Sequence, residues 1–199
     1  MPRIQHTLAN LPLADYIANY RDSERFMGYC RQCHNYKRRW SCPPFAFDPD
    51  TLLARYSHLW IIGTRIEPDA FESRPCASAQ ARIERCRELI AVARQTLDDD
   101  LLALEQQFPG SRSFLPGCCF RCPTEACARI HGAPCRYPDK LRHSLESFGF
   151  DLGRTSTQLL GIDLQWSHDE KMPPYLILVS GLLTLDDRGP DHFPLKFNP

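Results

Sequence analysis

What this chain lacks narrows its class first. It has no excess of charge: Lys plus Arg and Asp plus Glu each number 24, so the formal net charge is zero. Global electrostatics gives no reason to expect nucleic acid or an anionic membrane as a partner. No apolar stretch approaches the roughly 20 residues that a membrane helix needs. The longest, Tyr175–Leu185, is broken by Ser180, Gly181 and Thr184. Residues 1–15 have no apolar centre between a basic start and a small-residue cleavage site, so a secretory leader is not expected and a cytoplasmic location is. A phosphate-cradling glycine loop, a G-x-S-x-G elbow and an H-E-x-x-H pair are all missing. Common nucleotide and protease chemistries thereby lose their best sequence support.

What the chain does have is sulfur: ten cysteines among 199 residues. In a reducing compartment, clustered cysteines point to metal binding or catalysis rather than to disulfides, and disulfide frameworks suit much shorter chains. With 43% hydrophobic residues, the length suits one compact domain over 1–199.

The expected class is mixed α/β: a small mixed sheet, one long helix and cysteine-rich loops. Asp22 or Ser23 caps a short helix entering the first cysteine segment. Asp48-Pro49 reads as an N-cap followed by proline at the first helical position, starting a helix with Leu52, Leu53 and Tyr56. Leu59 to Ile62 predicts a buried strand reaching about Ile66, and Tyr175–Leu185 predicts another. The long helix is expected from about Ala77 to Phe108, with Ile83, Cys86, Ile90, Ala93, Leu97, Leu101, Leu104 and Phe108 on one stripe. Asp98, Asp99 and Asp100 read as its solvated flank, and Pro109-Gly110 as its end. Pro138 is expected to start a further helix with Leu141, Leu145 and Phe148 facing inward. Gly149 is its left-handed stop, and Phe150 folds back on Leu145. Leu159–Trp166 reads as a strand or turn.

Two segments carry the cysteines. The second runs from Cys118 to Cys135 and holds five cysteines in 18 residues. Without Cys118, its spacing is C-x2-C-x4-C-x7-C over Cys119, Cys122, Cys127 and Cys135. Four thiolates satisfy either tetrahedral zinc or a 4Fe-4S cluster. The first segment supplies Cys30, Cys33 and Cys42, with Pro43 and Pro44 stiffening the chain behind Cys42. Three ligands make an incomplete set; the fourth is His34, Cys118, Cys76 or a non-protein ligand. An open position there would allow an enzyme to bind a small molecule at the metal. Both segments serving one site is the other arrangement.

Zinc ribbons pair two C-x2-C knuckles, whereas the second segment has one knuckle and then opens out. The pattern therefore favours an iron–sulfur cluster, with a second one on the first segment as an extension, and a redox protein as partner. The alternative is a structural zinc module that presents a surface to another protein. Arg31, Lys37, Arg38, Arg39, Arg121, Arg129 and Arg136 lie in or beside the cysteine runs. Cations there stabilise an anionic metal–thiolate centre. The competing readings are an ordinary solvated basic face and an anion-binding mouth.

At these residues the chain resembles a prokaryotic family of predicted metal-binding proteins, the domain of unknown function numbered twenty-two eighty-four. The first signature is Cys30, Cys33, Tyr36, Lys37, Trp40, Ser41, Cys42, Pro43 and Pro44. The second comprises Gly132, Pro134, Cys135, Arg136, Pro138, Ser144, Glu146, Gly149 and Asp151. One departure is that four residues separate Cys122 from Cys127, where the family's middle cysteines more often stand two apart. The resemblance implies metal binding and no particular reaction.

The other candidates have simpler readings. Cys86 lies on the helix stripe and reads as a buried structural thiol. Cys76 is ambiguous. His34, His131 and His143 read as surface or boundary histidines, and Trp40 and Tyr36 as an apolar cover over the first cysteines.

Overall fold

A computed structural model describes residues 2–69, 75–123, 126–165 and 171–190. The class is mixed α/β, as expected, with a four-stranded sheet and one long helix. The strands are β1 (Arg3–Pro12), β2 (His58–Glu67), β3 (Arg112–Phe114) and β4 (Leu176–Thr184), in the order β1-β2-β4-β3. Every pairing is antiparallel, so the sheet is not of mixed direction. β1 has no counterpart in the sequence reading. It pairs along its whole length with β2, and half-buried residues alternate with exposed ones over most of it, the mark of an edge strand.

The two central strands have core on both faces. On one face, Leu59 and Ile61 of β2 join Val179 and Leu183 of β4, beneath Leu13, Tyr16, Leu53, Leu145, Phe148 and Phe150. On the other, Ile62, Ile66, Leu178 and Leu182 meet α4 (Ala79–Gln107) through Leu89, Ala93, Leu97, Leu101 and Leu104. Both faces are covered, so these strands read as continuous apolar runs instead of alternating ones.

Four further helices surround this frame, the last a single turn, α5 (Leu152–Arg154). α1 (Leu13–Tyr20) follows β1, and α2 (Ser23–Gln32) leads to the first sulfur loop. Asp22 caps α2 by accepting from the Arg25 amide. α3 (Pro49–Leu53) has the expected Asp48 cap, whose side chain accepts from the Asp50 and Thr51 amides.

Two expectations need correction. Asp98 is not on a solvated flank: it and Arg94 are buried and form a bidentate pair, Arg94 Nε to Asp98 Oδ1 at 3.0 Å and Nη2 to Oδ2 at 2.7 Å. Carboxylate burial is tolerable here because the partner lies one turn away. Nor does a continuous helix follow Pro138. The stretch holds two short 3-10 turns, Pro138–Lys140 and Glu146–Phe148, and its middle is tied elsewhere. The Leu115 amide donates to the His143 carbonyl at 2.9 Å, and Arg142 forms a salt bridge with Glu105 of α4. The expected ending is nevertheless present. Gly149 sits at φ +91°, its amide donates to the Glu146 carbonyl, and the Phe150 amide reaches back to the Leu145 carbonyl. A Cβ on Gly149 would come within 2.7 Å of the Ser23 backbone. Leu159 ends a π-type turn, Thr155–Leu159, and the chain through Gln165 is irregular; Trp166 lies outside the described residues.

Candidate metal centre

α2 delivers Cys30 in its last turns. Cys33 is the cap, its amide donating to the Cys30 carbonyl at 3.1 Å. The chain then winds through tight turns, with the Tyr36 amide bonded to the Cys33 carbonyl and the Cys42 amide to the Arg39 carbonyl. The second segment leaves β3 through Gly117, a left-handed residue at φ +65°. All ten cysteines are free of disulfides.

The two loops are bound to each other through backbone groups. Ser41 Oγ accepts from the Cys119 amide at 2.9 Å, leaving its own proton able to point at Cys42 Sγ, 3.8 Å away. Arg39 donates to the Cys119 carbonyl at 2.7 Å, and Arg94 of α4 donates to the Cys118 carbonyl at 2.8 Å. Arg129 reaches back from the second segment to the carbonyls of Arg39, Cys42 and Pro44. Trp40 donates its indole N–H to the Ala133 carbonyl at 3.0 Å. These are mostly charge-assisted bonds to carbonyls that irregular loops would otherwise leave without partners. They correct the reading of Arg39 and Arg129 as part of a solvated face. Arg39 is buried, and both arginines hold the loops together.

The sulfurs fall into two neighbourhoods. Cys42 lies close enough to Cys118 and Cys33 for charge on one to disfavour charge on the others, and Cys30 senses Cys33 in the same way. Cys118, one of the sequence's candidates for the first segment's missing ligand, lies near Cys42 and Cys33. Charge on its neighbour Cys119 is instead disfavoured by charge on Cys135 and Cys122. Cys127 is buried at the entrance to the turn Ala128–His131 and is not one of the leading influences on the Cys119 thiol. The Tyr137 amide points at Cys135 Sγ from 3.4 Å.

Burial dominates the ionisation of four of these thiols, Cys30, Cys42, Cys118 and Cys119. It pushes Cys42 up to about 12, opposed by the Ser41 hydroxyl and Arg39. It also raises Cys30, Cys118 and Cys119. Soft donors, most of them half-buried, whose anionic form is under-compensated match what a thiophilic metal centre supplies. The donor set therefore fits a metal in chemical type. Among the described residues, however, no three His, Cys, Asp or Glu side chains close around a point where a single ion would sit.

The remaining candidates separate cleanly. Cys76 is buried in the α4-side core, and Cys86 is half-buried with its Sγ 3.8 Å from Met172 Sδ, so neither joins the sulfur loops. His34 and His131 are exposed, as expected. His143 is not. It is buried against Phe45, Phe47 and Phe148, with Nδ1 3.2 Å from the Ser41 carbonyl, and burial lowers its pKa to about 4. Two site residues had no role in the sequence reading. Arg94 could have been found from its i,i+4 spacing to Asp98, beside the stripe positions Ala93 and Leu97. Glu146 has a carboxyl placed inside the protein, raised by burial, that influences Cys30; only the tertiary structure reveals this.

Fold and site together describe a cysteine-rich α/β protein in which two loops, locked by arginines, gather thiols beside an antiparallel sheet. The chain belongs to the family described as Predicted metal-binding protein (DUF2284), whose model matches residues 17–183. No curated protein and no solved structure matches it. Among the described residues, no helix is long and apolar enough to cross a membrane.

Proposed function

We propose that this protein carries iron–sulfur clusters and passes electrons, with one 4Fe-4S centre on Cys119, Cys122, Cys127 and Cys135 and a second on Cys30, Cys33, Cys42 and Cys118. The observation that carries the reading is the division of adjacent Cys118 and Cys119 between two thiol neighbourhoods, which gives the first segment the fourth sulfur it lacked. The single C-x2-C knuckle of Cys119 and Cys122, followed by wider steps to Cys127 and Cys135, supports a cluster over zinc. A zinc ion with Zn–S bonds of about 2.3 Å gathers its four sulfurs tightly around one point. In a cubane each thiolate holds a different iron, so the sulfurs stand further apart. When bound, such a cluster supplies one-electron redox chemistry.

The chain's own residues would tune it. The Tyr137 amide at Cys135 and the Ser41 hydroxyl at Cys42 are hydrogen-bond donors of the kind that stabilise thiolate sulfur. Phe120 and Tyr137, both about half exposed beside the second group, offer a docking edge for a redox protein partner in a reducing cytoplasm.

Anaerobic purification tests the reading. Brown protein with iron and acid-labile sulfide, together with a paramagnetic signal on reduction, is expected. Colourless protein holding only zinc would overturn it in favour of a structural zinc module.

A further inference from the structure

A cavity of about 820 Å³ opens between the two thiol neighbourhoods. One wall is a face of α4, on which Arg87, Ala91, Arg94 and Asp98 recur at helical spacing. The opposite walls come from the two sulfur loops. The first neighbourhood contributes Cys118, and the second contributes Cys122.

The chemistry of the lining is one-sided. Arg39, Arg87, Arg94 and Arg121 all border the cavity, against one lining carboxylate, Asp98, among the described residues. That carboxylate is already held by both ends of the Arg94 fork. Arg94 is itself stacked on the Phe120 ring, 4.1 Å from its centroid, which fixes the plane of the guanidinium at the cavity wall. Arg121 reaches Asp99 through Nη2, while its Nε is buried and meets no partner among the described residues. A buried donor left without a partner is costly.

These arginines differ from Arg129, which does not line the cavity and spends its donors on three loop carbonyls. Arg39 and Arg94 also hold loop carbonyls, yet a guanidinium has five N–H groups and these bonds use only part of each. The volume lies in the range of sites for small organic molecules, and a concave cavity suits such a ligand better than a flat macromolecular surface. Planar guanidinium forks match carboxylate and phosphate oxygens in pairs.

We propose that this cavity binds a small organic anion, carrying a carboxylate or a phosphate group, between the two sulfur centres. The inference deepens the redox reading by giving it a ligand class. It rests on that reading for the ligand's role and on the arginines alone for its binding.

The test is calorimetric titration of anaerobically purified protein with citrate and, separately, with glycerol 3-phosphate. Saturable one-to-one binding of one of them is expected, and which one distinguishes carboxylate from phosphate recognition. Arg87→Gln should weaken that binding at least tenfold with iron and sulfide content unchanged, and Arg121→Gln should weaken it as much when binding is counted per metal-loaded molecule. Arg3→Gln, at an exposed position of β1, should bind as the parent does. Failure of both anions to saturate, or arginine variants that bind no worse than Arg3→Gln, overturns the proposal. So does loss of binding only in step with loss of metal, because the arginines would then serve the centre and not a ligand. Metal content is read on every sample, so a colourless zinc protein that still binds anions through Arg87 and Arg121 would end the cluster reading alone.

Discussion

The sheet with α4 and the pair of sulfur loops are held together by different physics. In the scaffold, side chains such as Ile61, Ile62, Leu97, Leu101 and Leu182 are completely buried, and apolar burial at roughly 25 cal/mol per Å² does most of the work. In the loops there is little apolar material. Arg39, Arg94 and Arg129 instead cross between segments to bind backbone carbonyls. A loop that must present thiols cannot also bury a hydrophobic face, so its order comes from charge-assisted hydrogen bonds anchored to a rigid frame. Damage to the scaffold should lower global stability, whereas damage to the loops should alter metal loading first.

Arg94 belongs to both regions and is where the distinction breaks. Arg94→Ala leaves Asp98 buried without its partner and should cost about 3–5 kcal/mol in denaturant unfolding. It should reduce metal content as well, because the Cys118 carbonyl loses its donor. The double substitution Arg94→Met with Asp98→Leu should recover most of the stability but not the metal content.

Leu97→Ala is a pure scaffold test. It should cost about 3 kcal/mol through lost burial and the cavity left behind, while the metal retained per folded molecule stays at the parent level. Ser41→Ala is the corresponding loop test. Loss of one hydrogen bond to the Cys119 amide should cost only about 1 kcal/mol in unfolding. Its larger signature should be a changed optical or paramagnetic spectrum of the metal centre. An unchanged spectrum would remove Ser41 from the site.

The smallest effect concerns acid. The half-buried His6 ring on β1 is held down to about 4 by burial. In the unfolded chain it takes up a proton near 6.5. The unfolded state therefore binds more protons between those values, so its contribution to stability is complete above about pH 6.5 and is lost as pH falls toward 4. His6→Gln should flatten that part of the stability profile by roughly 1 kcal/mol or less, given solvent screening, without affecting the metal.

Several parts of this structure were legible because they are decided within a few residues. The Asp48-Pro49 cap, the apolar runs of β2 and β4, the stripe of α4 and the Gly149 stop depend on local backbone chemistry. β1 was not legible, because its partners lie some fifty residues away and its own pattern is weak. Asp98 was misread because Asp99 and Asp100 beside it made a solvated run the simplest reading. The break after Pro138 arises from distant partners: Leu115 and Glu105 capture residues that helix propensity alone would have kept in register.

The same division governs the metal centre. From its order of residues alone, the chain determined how many thiols there are, that they come in two loops, and where prolines and arginines flank them. Only the tertiary structure decided that Cys118 and Cys119 face different neighbours, that Arg94 reaches in from α4, and that a basic cavity lies between the groups. Ligand type is a property of side chains, which the sequence states outright. Convergence is a property of distances between segments far apart in the chain, and packing of the sheet against α4 sets those distances.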